Sequence, residues 1–270
     1  MKHEQAKSLA DEALNKLAAA LDQGHSETLR AYLAVMCRFH RYSWGNALLI
    51  ATQRPDATRV AGFHTWKKLG RYVRKGEKGI MILAPVVVKK RIETEEGEDE
   101  QTRVFGFRAA YVWDQVQTDG APLPEFARVQ GDPKDYTDRL KAHIVASGIA
   151  LEFDASIAPA HGVSTGGCIR LLPDLPPAET LSVLVHELSH ERLHHGDRRN
   201  QTTKTIRETE AEAVAFVVCN SIGLDTNSAA ADYIHLYDGN KQTLAESLSF
   251  IQSTATAILS AIAPEDPVQQ

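Results

Sequence analysis

Residues 186–190 read His-Glu-Leu-Ser-His, and this stretch decides what the second half of the chain folds around. On an α-helix, side chains four residues apart lie on one face, so His186 and His190 can direct both imidazoles at one divalent ion. Glu187 follows the first histidine directly and is placed beside the ion, where its carboxylate can take a proton from a polarised water molecule. The motif predicts Zn²⁺, with Mn²⁺ or another divalent ion as alternatives, and amide hydrolysis as the reaction.

A catalytic zinc site takes a third protein ligand, usually from a separate element. The next helical pattern covers residues 207–216, in which Glu208 and Glu212 lie four residues apart on one face. A second acid one turn after a ligand can accept the free N–H of a ligating histidine and fix its tautomer. We therefore expect Glu208 to be the third ligand and Glu212 to orient a histidine. Glu210 is the alternative ligand.

Other residues near the motif have competing interpretations. Residues 166–172 form either an edge strand that binds a peptide through its main chain or a plain structural strand. Tyr233 and His235 are candidate oxyanion donors, although core packing or a surface position is the better interpretation of both. His194 and His195 are expected to face solvent at the C-terminus of the motif helix, where the helix dipole favours imidazolium.

Length and composition exclude several classes of protein. With 270 residues, 43% of them hydrophobic, the chain can bury one large core or, more comfortably, two cores of ordinary domain size. It has no long apolar run and no apolar N-terminal stretch, so we expect no membrane span, no signal peptide and a cytoplasmic location. Cys37, Cys168 and Cys219 are too few and too scattered for a disulfide framework. The net charge of −5 gives no overall attraction to nucleic acid, so such binding requires a local basic surface.

The chain divides into two halves that differ in pattern. Residues 4–53 have apolar positions at helical spacing, and residues 58–117 contain short β-rich runs that predict a small sheet. Prolines and glycines accumulate around residues 123–132, the expected linker between an N-terminal domain, 1–122, and a C-terminal domain, 133–270. Helical patterns recur in the second domain over residues 178–194, 203–222 and 241–262. The sequence therefore predicts an α+β fold in two domains.

The first half contains a local excess of basic residues. Between Arg54 and Lys78 there are eight lysines and arginines against two acids, an excess of six, with aromatic residues interleaved. Cations that follow phosphates and aromatic faces that stack on unpaired bases are what single-stranded nucleic acid requires. The alternative is that the aromatic residues are core and the charges are merely solvated. The candidate DNA-binding residues are Tyr42, Trp44, Asn46, Arg59, Trp66, Lys67, Lys68, Arg71, Arg74, Lys75 and Lys78.

Several separate blocks of the chain match one known family in order. Residues 42–50, 62–71 and 112–120 resemble the N-terminal domain of ArdC-type antirestriction proteins, and the blocks at 186–190 and 208–212 extend the resemblance to the second half. The resemblance implies a single-stranded DNA-binding domain of helices and a small sheet, joined to a zincin-like metallopeptidase domain. It also implies a plasmid-borne or phage-borne protein that protects entering DNA from restriction.

Three functions are consistent with this arrangement. The first is a zinc peptidase that the basic domain brings to a protein substrate bound near single-stranded DNA. The second is a protein that protects single-stranded DNA by coating it, with the metal domain serving structure or partner docking. The third is a sensor that cleaves a repressor partner. The sequence predicts neither a membrane partner nor a particular oligomeric state.

Overall fold

A computed structural model describes residues 2–23, 26–94, 97–122, 133–224 and 241–263. The expected linker, 123–132, and the candidates Tyr233 and His235 lie outside the described residues. Within the described ranges the chain forms nine α-helices and eight β-strands.

The N-terminal domain packs helices against a long β-hairpin. Its helices are α1 (Lys2–Asp22), α2 (Ser26–Arg38), α3 (Trp44–Gln53) and α4 (Phe63–Lys68). Its strands are β1 (Val60–Ala61), β2 (Arg71–Val73), β3 (Ile80–Thr94), β4 (Gly97–Asp114) and β5 (Thr118–Gly120). The antiparallel pair β3 and β4 extends through β1, while β2 pairs with β5. The short β-rich runs of the sequence merge into two long strands, and their register shifts at one bulge opposite Val86 and Val87, where Phe105 of β4 is the extra residue.

Two amide side chains of α3 close the free edge of β3. Asn46 donates from Nδ2 to the Leu83 carbonyl and accepts from the Leu83 N–H, both at 2.8 Å. Gln53 makes the same pair of hydrogen bonds with Met81, at 2.8 and 2.9 Å. An edge strand presents unpaired backbone groups that must find partners. The helix therefore takes the place of a neighbouring strand at these two positions.

We expect Asn46→Leu to lower the free energy of unfolding by about 1–2 kcal/mol, because it leaves the Leu83 N–H and carbonyl without their partner. Urea denaturation measures this change. Asn15→Leu is the matched control, since Asn15 is exposed on α1, and it should change stability by less than about 0.5 kcal/mol. Equal stability of the two variants would show that the amide of Asn46 does not hold the strand edge.

The C-terminal domain surrounds a small mixed sheet with helices. Its helices are α5 (Lys134–Ala146), α6 (Pro177–Leu193), α7 (Gly196–Gln201), α8 (Lys204–Ser221) and α9 (Lys241–Ile262). Its strands are β6 (Ala150–Phe153), β7 (Gly162–Ser164) and β8 (Cys168–Leu171). β8 lies between parallel β6 and antiparallel β7, so of the two interpretations of residues 166–172 the edge strand is wrong and the plain structural strand is observed. The edge strand next to α6 is β7.

α6 and α8 form the centre of this domain. Pro177 is the first residue of α6, where its fixed φ suits a helix start and its missing N–H costs nothing. Leu181, Leu184 and Leu188 give α6 a fully buried face. Small residues such as Ala211 and Ala215 lie in the buried part of α8, which lets the two helices pack closely.

The two domains share one hydrophobic core. A single cluster of buried side chains extends from Ala13 in α1 to Ile262 in α9. α2 packs on α8, where the Ser221 hydroxyl donates to the Cys37 carbonyl at 2.9 Å. The two-domain α+β fold is confirmed. Of the two core arrangements that the length allows, one large core is observed, with a small separate cluster around Trp66. Among the described residues, no helix combines the length and the apolar character needed to cross a membrane.

Candidate metal centre

Three side chains from α6 and α8 converge on one point. The Nε2 atoms of His186 and His190 lie 3.1 Å apart. Glu208 places Oε2 3.6 Å from each of these nitrogens. The three ligand atoms all lie within 4.8 Å of one another, and this is the group that could hold a metal ion among the described residues. Two imidazole nitrogens and one carboxylate oxygen are a donor set that suits zinc and leaves a coordination position open.

The second nitrogen of each histidine also has a partner. Nδ1 of His186 lies 3.1 Å from Oε2 of Glu212, the position expected of an orienting carboxylate. Nδ1 of His190 lies 2.8 Å from Nδ1 of His194. Both rings are therefore held so that Nε2 faces the point of convergence.

The electrostatics of the cluster favour positive charge at that point. Burial lowers the pKa of His186, but hydrogen bonds to Glu208 and Glu212 outweigh burial and raise this pKa to about 9. Hydrogen bonds from His186 and His190 lower the pKa of Glu208 well below its usual range. Carboxylates that stabilise a protonated imidazole also favour a divalent cation in the same place.

Glu187 lies beside this cluster, against the edge strand β7. Its side chain is 7% exposed, and burial raises the pKa of its carboxyl group. A Cβ atom at Gly162 would lie 2.8 Å from Cγ of Glu187 and 2.6 Å from Val183, so only glycine allows β7 to approach α6 this closely. The cleft in front of Glu187 has a volume of 770 Å³ and is bounded by α6, β7 and the start of α8.

Two predictions about neighbouring residues are wrong. His194 is fully buried instead of facing solvent, because α8 and α9 cover this end of α6. Glu210, the alternative ligand, is also fully buried and contacts His194, Arg198 and Ser247 instead of the metal cluster. His195 is 43% exposed, in agreement with its expected position.

Glu191 is a residue of this region that the sequence interpretation missed. Its side chain is 3% exposed and accepts hydrogen bonds from the Ser164 hydroxyl at 2.5 Å and the N–H groups of Gly166 and Gly167 at 2.9 and 2.7 Å. These bonds hold the turn between β7 and β8 against α6. Both glycines have positive φ, 78° and 88°, so a glycine pair before a strand was the available signal.

Three candidate DNA-binding residues have their polar groups bonded within the N-terminal domain. Trp66 is fully buried and donates from Nε1 to the Trp113 carbonyl at 2.8 Å. Arg71 is 9% exposed and is bound to the side chain and carbonyl of Thr118 at 2.8 and 2.9 Å. The amide of Asn46 is taken up by the edge of β3. The prediction that buried Trp66 and Arg71 contact DNA is therefore wrong, while half-buried Asn46 uses its amide to hold the edge of β3.

The remaining candidates lie at or near the surface. Tyr42 and Trp44 are half-buried and pack against the shared core, and Arg59 is half-buried as well. Arg74 is exposed but paired with Glu77 at 2.8 Å. The other exposed cations are Lys67, Lys68, Lys75 and Lys78.

The structure also shows an exposed row of aromatic side chains. Phe105, Phe107 and Tyr111 are 83%, 55% and 38% exposed on β4. Phe107 and Tyr111 are four residues apart and share one face of the strand, and Phe105 is the extra residue of the bulge next to them. Trp113 continues this spacing, and its ring meets that of Phe63, 48% exposed, at 6.1 Å. We call these five residues the aromatic row. The sequence interpretation missed it because alternation alone does not say which face of a strand is buried.

Comparison with known proteins divides the chain in the same way. Residues 6–113 match the family described as the N-terminal domain of anti-restriction factor ArdC, and residues 149–222 match the IrrE N-terminal-like domain. The chain is 25% identical to an uncharacterized protein of Bacillus anthracis, covering 96% of this chain and 52% of that protein. The chain thus spans about half the length of the curated relative it matches.

Solved structures share the fold. The metal-free crystal structure of the antirestriction ArdC protein from plasmid R388 matches with a TM-score of 0.57 at 20% identity, covering 94% of this chain and 98% of that one. Its Mn(II)-bound structure matches with a TM-score of 0.55 at 19% identity, covering 96% and 99%.

Proposed function

We propose that this ArdC-type chain, with an ArdC N-terminal domain followed by an IrrE-like domain, binds single-stranded DNA and carries a zinc-dependent peptidase site. Its proposed role is to protect entering plasmid or phage DNA from restriction. The observation that carries the enzymatic part is the convergence of His186, His190 and Glu208 on one point. Zn²⁺ is the proposed metal, and the Mn(II)-bound form of the plasmid R388 protein makes Mn²⁺ the alternative.

The proposed reaction assigns one role to each residue of the centre. His186, His190 and Glu208 would hold the ion, and Glu212 would orient His186. The ion would supply Lewis acidity toward a peptide carbonyl and toward water. Glu187 would accept a proton from the attacking water and pass it to the leaving amine. Burial raises the pKa of its carboxyl group, which favours the protonated form that it would take up between these two transfers.

The proposed substrate is a polypeptide in extended conformation. β7 borders the cleft and, within the described residues, pairs only with β8. Its outer edge can therefore accept a peptide as an added strand, with main-chain hydrogen bonds that tolerate many sequences. Glu191 supports this role because it holds the turn that follows β7 in place. The protein substrate would be one that is bound near DNA.

The proposed DNA surface combines the aromatic row with the exposed lysines. Phe63 and Lys67 lie four residues apart on α4 and so share a face of that helix. Residues four apart on one strand face are separated by roughly 13 Å, which leaves room for bases to stack on both Phe107 and Tyr111. Phe105 is exposed in the bulge beside them. Each such stack contributes about 1–3 kcal/mol. The row and the lysines therefore offer both contacts that single strands require.

One preparation tests both parts of this proposal. We expect the purified protein to contain about one equivalent of Zn²⁺ or Mn²⁺ per chain and to bind single-stranded DNA more tightly than duplex DNA. Phe105→Ala with Phe107→Ala should weaken single-strand binding by more than about tenfold without changing its salt dependence. Lys67→Gln with Lys68→Gln should reduce the slope of log affinity against log salt concentration by about 1.4.

The control for these variants is Lys7→Gln, which removes an exposed charge from α1. Fluorescence anisotropy with a labelled oligonucleotide at several salt concentrations gives all the affinities. Unchanged single-strand affinity in both double variants would contradict the proposed surface, and preferential binding of duplex DNA would contradict the proposed ligand.

A second function is favoured by the core that the two domains share. The C-terminal helices α8 and α9 cover part of the N-terminal domain, so this half of the chain serves the DNA-binding half structurally. Under this alternative, coating of single-stranded DNA is the protective act and peptide hydrolysis is dispensable. It predicts protection in vivo that persists without Glu187 but is lost with the lysines and the aromatic row.

A further inference from the structure

A chain of buried contacts leads away from the metal cluster through His190. Its Nδ1 lies 2.8 Å from Nδ1 of His194, and Nε2 of His194 lies 3.0 Å from Oε2 of Glu210. His194 and Glu210 are both 0% exposed. Arg198 donates to both carboxylate oxygens of Glu210 at 2.6 and 2.8 Å, and the Ser247 hydroxyl donates to Oε1 at 2.6 Å.

The donor and acceptor roles in this series of hydrogen bonds are fixed by its two ends, which are the metal ligand His190 and the carboxylate of Glu210. His190 must keep the lone pair of Nε2 free to bind a metal, so its proton lies on Nδ1 and is donated to His194. His194 then accepts at Nδ1, carries its own proton on Nε2 and donates it to Glu210. Glu210 has only acceptor oxygens when ionised, and it faces three donors. Every group in the chain thus has a partner of the opposite role.

We propose that His194 and Glu210 form a positioning relay that fixes the ring orientation and tautomer of the metal ligand His190, as Glu212 does for His186. This inference rests on the proposed metal site. Each ligating histidine then has its own carboxylate. His186 contacts Glu212 directly, and His190 is connected to Glu210 through the imidazole of His194. Groups that hold ligating histidines in this way contribute about 10–100-fold to metal affinity.

The relay is anchored by parts of the chain that are distant in sequence. His194 directly follows α6, Arg198 lies on α7, Glu210 on α8 and Ser247 on α9. Arg198 also stacks on the ring of Phe250 of α9, with its guanidinium carbon 3.6 Å from the ring centroid. Four helices meet at Glu210. A shift of any of them would therefore change the orientation of His190 through the hydrogen bonds from Glu210 to His194 and from His194 to His190. The orientation of His190 therefore depends on the packing of α9.

The test compares two neighbouring histidines. We expect His194→Ala and Glu210→Gln each to weaken Zn²⁺ binding by about 10–100-fold, measured in the full chain by competition with a chelating dye. His195→Ala is the matched control, because His195 is exposed and outside the relay, and it should bind Zn²⁺ like the wild type. Loaded with Co²⁺, the His194→Ala variant should also show a shifted visible absorption spectrum, which a purely structural role would not produce.

A second measurement needs no variant and covers the case in which His194→Ala fails to fold. Nitrogen-15 NMR of the Zn²⁺-loaded wild type should show His194 protonated on Nε2 and His190 protonated on Nδ1. A His194 protonated on Nδ1 would overturn the relay. So would a folded His194→Ala variant with unchanged Zn²⁺ affinity and Co²⁺ spectrum. A wild-type protein that binds no Zn²⁺ would overturn the proposed metal site itself, and the relay with it.

Discussion

Replacing Glu187 with glutamine is expected to lower kcat/KM for peptide hydrolysis by about 10²–10⁴-fold, the usual contribution of a general base. Glutamine keeps the shape of the side chain but cannot take a proton from the attacking water. The three ligands are untouched, so Zn²⁺ affinity should stay within a few-fold of the wild type. Hydrolysis is measured with a mixture of unfolded proteins in the presence of single-stranded DNA, and metal content is measured on the same samples.

The matched control is Glu179→Gln, the same change on the same helix. Glu179 lies in the first turn of α6, is 38% exposed and pairs with His161 outside the cluster. It should leave hydrolysis unchanged. Equal hydrolysis by Glu187→Gln and the wild type would contradict the role of Glu187. Loss of hydrolysis with full protection of DNA in cells would instead favour coating as the protective act.

Trp66→Ala is expected to destabilise the protein by about 3–5 kcal/mol, as for other large aromatic residues truncated in a core. Trp66 is fully buried in a small second cluster with Ala61, packed by Leu69, Val73 and Trp113. Its truncation also leaves the Trp113 carbonyl without the indole N–H that it accepts at 2.8 Å. Urea denaturation of both proteins gives the difference in the free energy of unfolding.

Phe63→Ala on the same helix separates folding from DNA binding. Phe63 is 48% exposed, so its truncation should cost less than about 1 kcal/mol of stability. It should instead weaken binding to single-stranded DNA, because the aromatic row loses one ring. A Trp66→Ala protein of normal stability and reduced DNA affinity would reverse the roles assigned to these two residues.

The parts of the site that the sequence predicted are those set by helical geometry. His186 and His190 share a face because they are four residues apart, and the same spacing places Glu208 and Glu212 together on α8. Both pairs follow from local structure once the helices are recognised. Bringing the two pairs together required only the assumption that α6 and α8 pack against each other.

The parts that were missed depend on contacts between distant segments. His194 continues the spacing of the motif by one more turn, but its burial depends on α8 and α9, which no local pattern reveals. Arg198 and Ser247 surround Glu210 and keep it away from the metal cluster, and the spacing of residues on α8 does not reveal these contacts. In the N-terminal domain, composition identified an aromatic and basic region but could not separate buried Trp66 from exposed Phe63.

The packing of α2 on α8 limits how this protein can be divided. The helix that presents Glu208 to the metal centre also carries Ser221, which hydrogen bonds to the backbone of α2 at Cys37. On α9, Gln252 and Thr256 donate to the carbonyl of His40. A cut between the halves would expose apolar helix faces on both fragments, and such surfaces promote aggregation. Exchanging halves between relatives should therefore succeed only when these contact surfaces are exchanged as a matched pair.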